Sequence, residues 1–115
     1  MESILTSIKK LLGIAEEYTH FDEDLIMHIN SVLTILTQMG IGPSTGYIIT
    51  DKDDTWDEFI DNKIYLEAVK TYIHLKVKLV FDPPLSSAVT EAMNKMISEL
   101  EWRLCAAAET VSLQG

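Results

Sequence analysis

The sequence predicts an all-α fold, a small bundle of about four main helices plus one short helix, with an irregular loop around residues 40–54. Three observations predict it. Apolar residues recur at three- and four-residue spacing through most of the chain. Glycines (Gly13, Gly40) and the pair Pro83-Pro84 stand where those stripes stop. Capping residues stand where they start. The 115 residues make one domain, and a chain of this size buries roughly 65% of its unfolded surface, enough for one modest core.

The first helix covers about Ser3 to Leu12. Ile4, Leu5, Ile8, Leu11 and Leu12 form its stripe, Lys9 and Lys10 suit the negative end of its dipole, and Gly13 stops it. The second begins at Asp22, read as its N-cap, with Glu23 and Asp24 in the first turn. Leu25, Ile26, Ile29, Val32, Leu33, Leu36 and Met39 line one face, and Gly40 ends it. Gly40, Gly42, Pro43 and Gly46 forbid a long helix up to about Asp54, although Tyr47-Ile48-Ile49-Thr50 suits a short extended piece. Thr55-Trp56-Asp57-Glu58 reads as a capping box that opens a short helix carrying Trp56, Phe59 and Ile60.

A long helix follows over about Lys63 to Val80, with Ile64, Leu66, Val69, Tyr72, Ile73, Val77 and Val80 as its apolar face. Its β-branched second half invites a strand, but the lysines there do not break the helical stripe. Pro83 stops the helix and excludes Asp82 from the α region. The last helix starts at Ser86 or Ser87 and carries Val89, Met93, Met96, Ile97, Leu100 and Leu104. Residues 1–104 are expected to form the helical domain and 105–115 a flexible C-terminal tail.

The composition excludes several function classes. Eighteen acidic against nine basic side chains give a net charge of −9, so counterion release cannot drive tight nucleic-acid binding. Attraction to an anionic membrane is disfavoured for the same reason. No apolar run approaches the ~18 residues of a membrane span. The N-terminal residues lack the basic run and apolar core of a signal peptide, so a soluble protein made in the cytoplasm is expected. The single cysteine, Cys105, allows no intrachain disulfide and has no zinc-type partners.

Signals for chemistry are weak. His20, His28 and His74 fall in no metal-ligand spacing. His20 stands within helical range of Asp24, which fits a solvated histidine beside a helix start better than an acid–base pair. Gly40-Ile41-Gly42-Pro43 lacks the Gly-Lys-Ser/Thr ending of a phosphate loop. Asp51, Asp53, Asp54, Asp57, Glu58 and Asp61 crowd one stretch, but Trp56 replaces the glycine of a calcium loop and Asn62 its terminal glutamate. A solvated acidic face accounts for them better. Cys105 has only Arg103 as a basic neighbour, too little to activate a thiol. Trp56, Trp102, Tyr47 and Tyr65 are large enough to anchor contacts between subunits. Trp56 suits the monomer core equally well. No cofactor and no catalytic residue is expected.

One resemblance covers about residues 3 to 104. Its stretches are Ser7-Ile8-Lys9-Lys10-Leu11-Leu12-Gly13-Ile14, Phe21-Asp22 with His28-Ile29-Asn30-Ser31, Gly40-Ile41-Gly42-Pro43 and Thr55-Trp56, followed by Val69-Lys70-Thr71-Tyr72-Ile73, Lys76 through Pro84, and Glu99 through Leu104. In order and combination, above all Phe81-Asp82-Pro83-Pro84 followed by Glu101-Trp102-Arg103, the chain resembles the small head–tail connector (head-completion, adaptor) proteins of long-tailed phages and prophages. The resemblance implies a non-enzymatic virion subunit at the head–tail junction, assembled in the host bacterial cytoplasm. It implies rings of about twelve copies that extend the portal channel and dock a neck or tail-completion protein, with DNA passing through unbound. Its partners would be itself, the portal protein and that neck protein, and no membrane.

Acidity fits such a channel, because like charge keeps DNA from sticking. Asp51, Asp53, Asp54, Asp57, Glu58 and Asp61 are therefore the candidate channel face. A head-to-tail ring needs two different patches per subunit. Tyr47, Ile48 and Ile49 in the loop and Trp102 and Arg103 on the last helix are the candidates. Two other classes compete: a small acidic helical protein-binding regulator of phage or prophage origin, and an enzyme with a carboxylate metal site.

Overall fold

A computed structural model describes residues 2–114, with side chains through Glu109. Five helices follow one another: α1 (Ile4–Leu11), α2 (Asp22–Gln38), α3 (Trp56–Phe59), α4 (Lys63–Phe81) and α5 (Ser87–Gln114). Among the described residues the β-type pairing is one isolated antiparallel bridge, Ser3 to Thr55. The helical reading of the β-branched segment from Tyr72 to Phe81 holds.

Local chemistry sets the ends. Ser3 Oγ caps α1 by accepting from Thr6 N–H (3.2 Å). Gly13 sits at φ +81°, and there Ile14 N–H reaches back to Lys9 C=O (2.8 Å) and Gly13 N–H to Lys10 C=O (3.1 Å). The same pattern closes α2 at Gly40, with Ile41 N–H on Leu36 C=O (2.9 Å). Both are left-handed glycine stops followed by an isoleucine that packs down, and Ile41 is buried. Glu58 reaches back to Thr55 N–H (2.8 Å) in the capping box of α3. Asn62 Oδ1 caps α4 through Ile64 N–H (2.9 Å).

α4 is the centre. α2 and α5 each pack along it, and α1 lies across α2 and α4. Phe21 and Phe81 meet edge to face at 5.2 Å, which joins the start of α2 to the end of α4 and makes the pair antiparallel. Ile4, Leu5, Ile8, Leu25, Ile29, Leu33, Leu36, Val69, Tyr72, Ile73 and Val77 fill the core. Tyr72 donates its hydroxyl to Glu101 on α5 (2.7 Å); burial first and then this carboxylate push the phenol's pKa up. Trp56 is buried in the core, its indole N–H donating to Ser7 Oγ (2.9 Å). Ser7 also bonds the Glu2 carboxylate, which pairs with Lys70 (3.2 Å).

Several expectations are corrected. Asp22 is the first residue of α2, with Phe21 at the cap position. Lys9 is no solvated dipole partner. Its side chain is 3% exposed, and its ammonium sits 2.9 Å from Asp22 Oδ1 and donates to the carbonyls of Glu16 (2.9 Å) and Tyr18 (2.7 Å). A buried charge must be matched this fully to be tolerated. Tyr47 to Thr50 form no strand. Instead the Asn30 side chain accepts from Ile49 N–H (2.8 Å) and donates to Ile49 C=O (2.9 Å). Ile64 and Val80, assigned to the apolar face of α4, are solvent-exposed.

The last helix does not stop at Leu104. α5 continues through Cys105 to Gln114. Alanine is the best helix former, and Ile97, Leu100, Leu104 and Ala108 continue the stripe onto the core.

Candidate interaction surfaces

The five residues proposed for subunit contact fall in two places. In the loop, Ile48 is exposed, but Ile49 is 1% exposed and held by Asn30, so it belongs to the monomer core. Tyr47 is half-buried against Phe59 (ring centroids 5.6 Å apart). Burial, and then the carboxylates of Asp54, Glu58 and Asp57, push its phenol up to about 12. On α5, Trp102 is 71% exposed. Arg103 beside it donates to Glu99 through Nε (3.1 Å) and a terminal nitrogen (2.8 Å). The helix packs on α4 through Met93, Ile97, Leu100 and Leu104. Trp102 points the other way.

The acidic residues divide by task. Asp54 accepts from Thr50 N–H (2.6 Å) and Asp51 N–H (3.2 Å) and from the Thr50 hydroxyl. These bonds, Thr50's backbone first, hold its carboxyl below the usual carboxylate range. Asp51 accepts from Asp53 N–H (2.8 Å), and Glu58 caps α3. Asp53, Asp57 and Asp61 are exposed and their carboxylates have no partner among the described residues. Asp51 and Asp54 therefore build the turn and Glu58 caps α3, which leaves the carboxylates of Asp53, Asp57 and Asp61 to solvent. Among the described residues no group of three or more His, Cys, Asp or Glu is arranged to hold a metal ion. Among the described residues no helix is long and apolar enough to cross a membrane.

A cavity of about 400 Å³ opens where the end of α2, the α3–α4 junction and the end of α5 converge. Ile41, Pro43, Phe59 and Tyr65 supply apolar walls, Ala107 and Ala108 one side, and Glu58 and Asp61 the charge. Gly42 is required here. It sits at φ +85°, and a Cβ would stand 2.4 Å from the Phe59 ring.

The sequence model of the phage connector proteins matches residues 4–111. The chain belongs to that family. The match runs past residue 104, in keeping with the unbroken α5. Neither the curated proteins nor the solved structures yield a significant match. As a phage connector the chain is a structural component of the virion whose work is contact with other head and tail proteins.

The cavity escaped the sequence reading because its walls come from four separate segments. Leu85, fully exposed between Pro84 and Ser86, was also missed. The exposure of Ile64 was legible: nine residues separate it from Ile73, which sets the two about 180° apart round the helix.

Proposed function

We propose that copies of this chain form a closed ring at the head–tail junction, which extends the portal channel and docks a neck or tail-completion protein. The observation that carries the reading is the outward Trp102–Arg103 pair on α5. A large indole left in solvent beside a guanidinium, on a rigid helix, has the composition of an interface hot spot. It stands in a chain whose family joins phage parts. The acidic segment from Asp51 to Asp61 faces the channel, with Asp53, Asp57 and Asp61 presenting like charge to passing DNA. Ile48 and Tyr47 belong to the second contact region.

Native mass spectrometry of the purified chain, alone and mixed with the portal protein of the same phage, tests the reading. A closed oligomer of defined stoichiometry that binds the portal is expected. A chain that neither self-associates nor binds the portal sinks it.

A further inference from the structure

The cavity at the end of the bundle and the Trp102–Arg103 pair are complementary in chemistry, apolar walls with carboxylates against an indole with a guanidinium. The cavity has apolar walls (Ile41, Pro43, Phe59, Tyr65) and two carboxylates, Glu58 and Asp61. Glu58 is already engaged with Thr55 (2.8 Å), whereas the Asp61 carboxylate has no partner among the described residues. At about 400 Å³ it is in the size range of small-molecule clefts, so one bicyclic side chain fits. The outer face of α5 presents such a side chain, Trp102, next to a guanidinium whose exposed Glu99 partner holds it weakly.

A chain cannot fill its own cavity this way. Ala107 and Ala108 line it from α5, and five or six residues place Trp102 about 120–140° round the same helix. The key and the hole therefore diverge on one rigid element. That is the arrangement of a heterologous contact, in which each copy gives one surface and receives the other.

We infer that Trp102 of one copy inserts into the cavity bounded by Ile41, Phe59, Tyr65 and Ala107 of the next, with Arg103 paired to Asp61. This contact rests on the ring reading and specifies its interface. Trp102, Arg103 and Asp61 are all exposed, so their part of the contact can be removed without unfolding the chain.

The test is complementation. Trp102→Ala removes the key, and Ala107→Trp fills the hole from a position that stays helical. Each variant alone is expected to be monomeric by mass photometry, with normal helicity by circular dichroism. Self-association should weaken by about thirtyfold or more, the effect of truncating a hot spot. Mixed, the two retain one good key and one good hole, so they form a one-to-one heterodimer and nothing larger. Arg103→Glu should likewise dissociate the assembly, and Asp61→Arg added to it should restore assembly. Oligomers that persist in Trp102→Ala and Ala107→Trp overturn this contact and leave the ring reading standing. A mixture that stays monomeric also overturns it. A wild-type chain that neither self-associates nor binds the portal overturns both.

Discussion

Replacing Lys9 by methionine keeps the aliphatic stem and deletes one buried positive charge. The ammonium has three oxygen partners at 2.7–2.9 Å, Asp22 Oδ1 and the carbonyls of Glu16 and Tyr18. It ties α1 to the start of α2 and to the loop between them. Breaking a buried pair from one side costs about 3–5 kcal/mol, because the other charge is left unmatched. Asp22 is a quarter exposed and stands at the positive end of the α2 dipole, which lowers the cost. The two carbonyls raise it again wherever water cannot reach them. A loss of about 2–4 kcal/mol follows. At about 4–6 °C per kcal/mol for a domain of this size, the melting temperature should fall by roughly 10–20 °C. Urea denaturation of the wild type, Lys9→Met, Asp22→Asn and the double variant measures it. The double variant should recover part of the loss, since it no longer strands a carboxylate. A Lys9→Met chain within about 0.5 kcal/mol of wild type, the range of ordinary surface substitutions, would refute the claim that this lysine is a structural cation.

Gly42→Ala should cost about 2–3 kcal/mol by urea denaturation, since its Cβ meets the Phe59 ring and its φ is positive. Gly13→Ala shares the φ but meets nothing within 4 Å, so it should cost only about 1 kcal/mol. His74 is partly buried, and its Nε2 has no partner among the described residues; burial first, then Lys78, lowers its pKa. The folded state therefore favours neutral His74. Its contribution is complete above about pH 6.5, the ordinary histidine value, and fades as pH falls through the lowered folded value. Denaturation midpoints should drop over that window, and His74→Phe should flatten the drop. The two tryptophans should separate by acrylamide quenching: a blue-shifted, protected emission from Trp56 and a red-shifted, quenched one from Trp102, the latter lost in Trp102→Phe. Equal quenching of both would contradict the opposite burial of the two rings.

The helices were legible because their signals are local. The stop at Gly13 needs only a residue without a Cβ at positive φ, and the Thr55–Glu58 capping box needs only three residues of separation. Stripes at helical spacing identified most of the core residues of α1, α2 and α4. Where the reading went astray, composition stood in for packing. Ala106 to Ala108 looked like the beginning of a tail because small residues carry little apolar area. In the fold, Ala108 instead lets α5 pass close to Gly40, whose added Cβ would lie 3.3 Å from it. Lys9 and Lys10 looked alike, yet one is buried and the other exposed.

By itself the sequence determined the helix count, most of their ends and an acidic surface, all properties set by neighbours a few residues apart. Only the tertiary structure decided that Lys9 and Ile49 lie inside, that Trp102 faces solvent, and that residues 40–43, 58–62, 65 and 107–108 line one open cavity. Periodicity reports which side chains share a helix face. Which face is covered depends on how distant segments pack, and that is settled by the burial and charge matching of the whole chain.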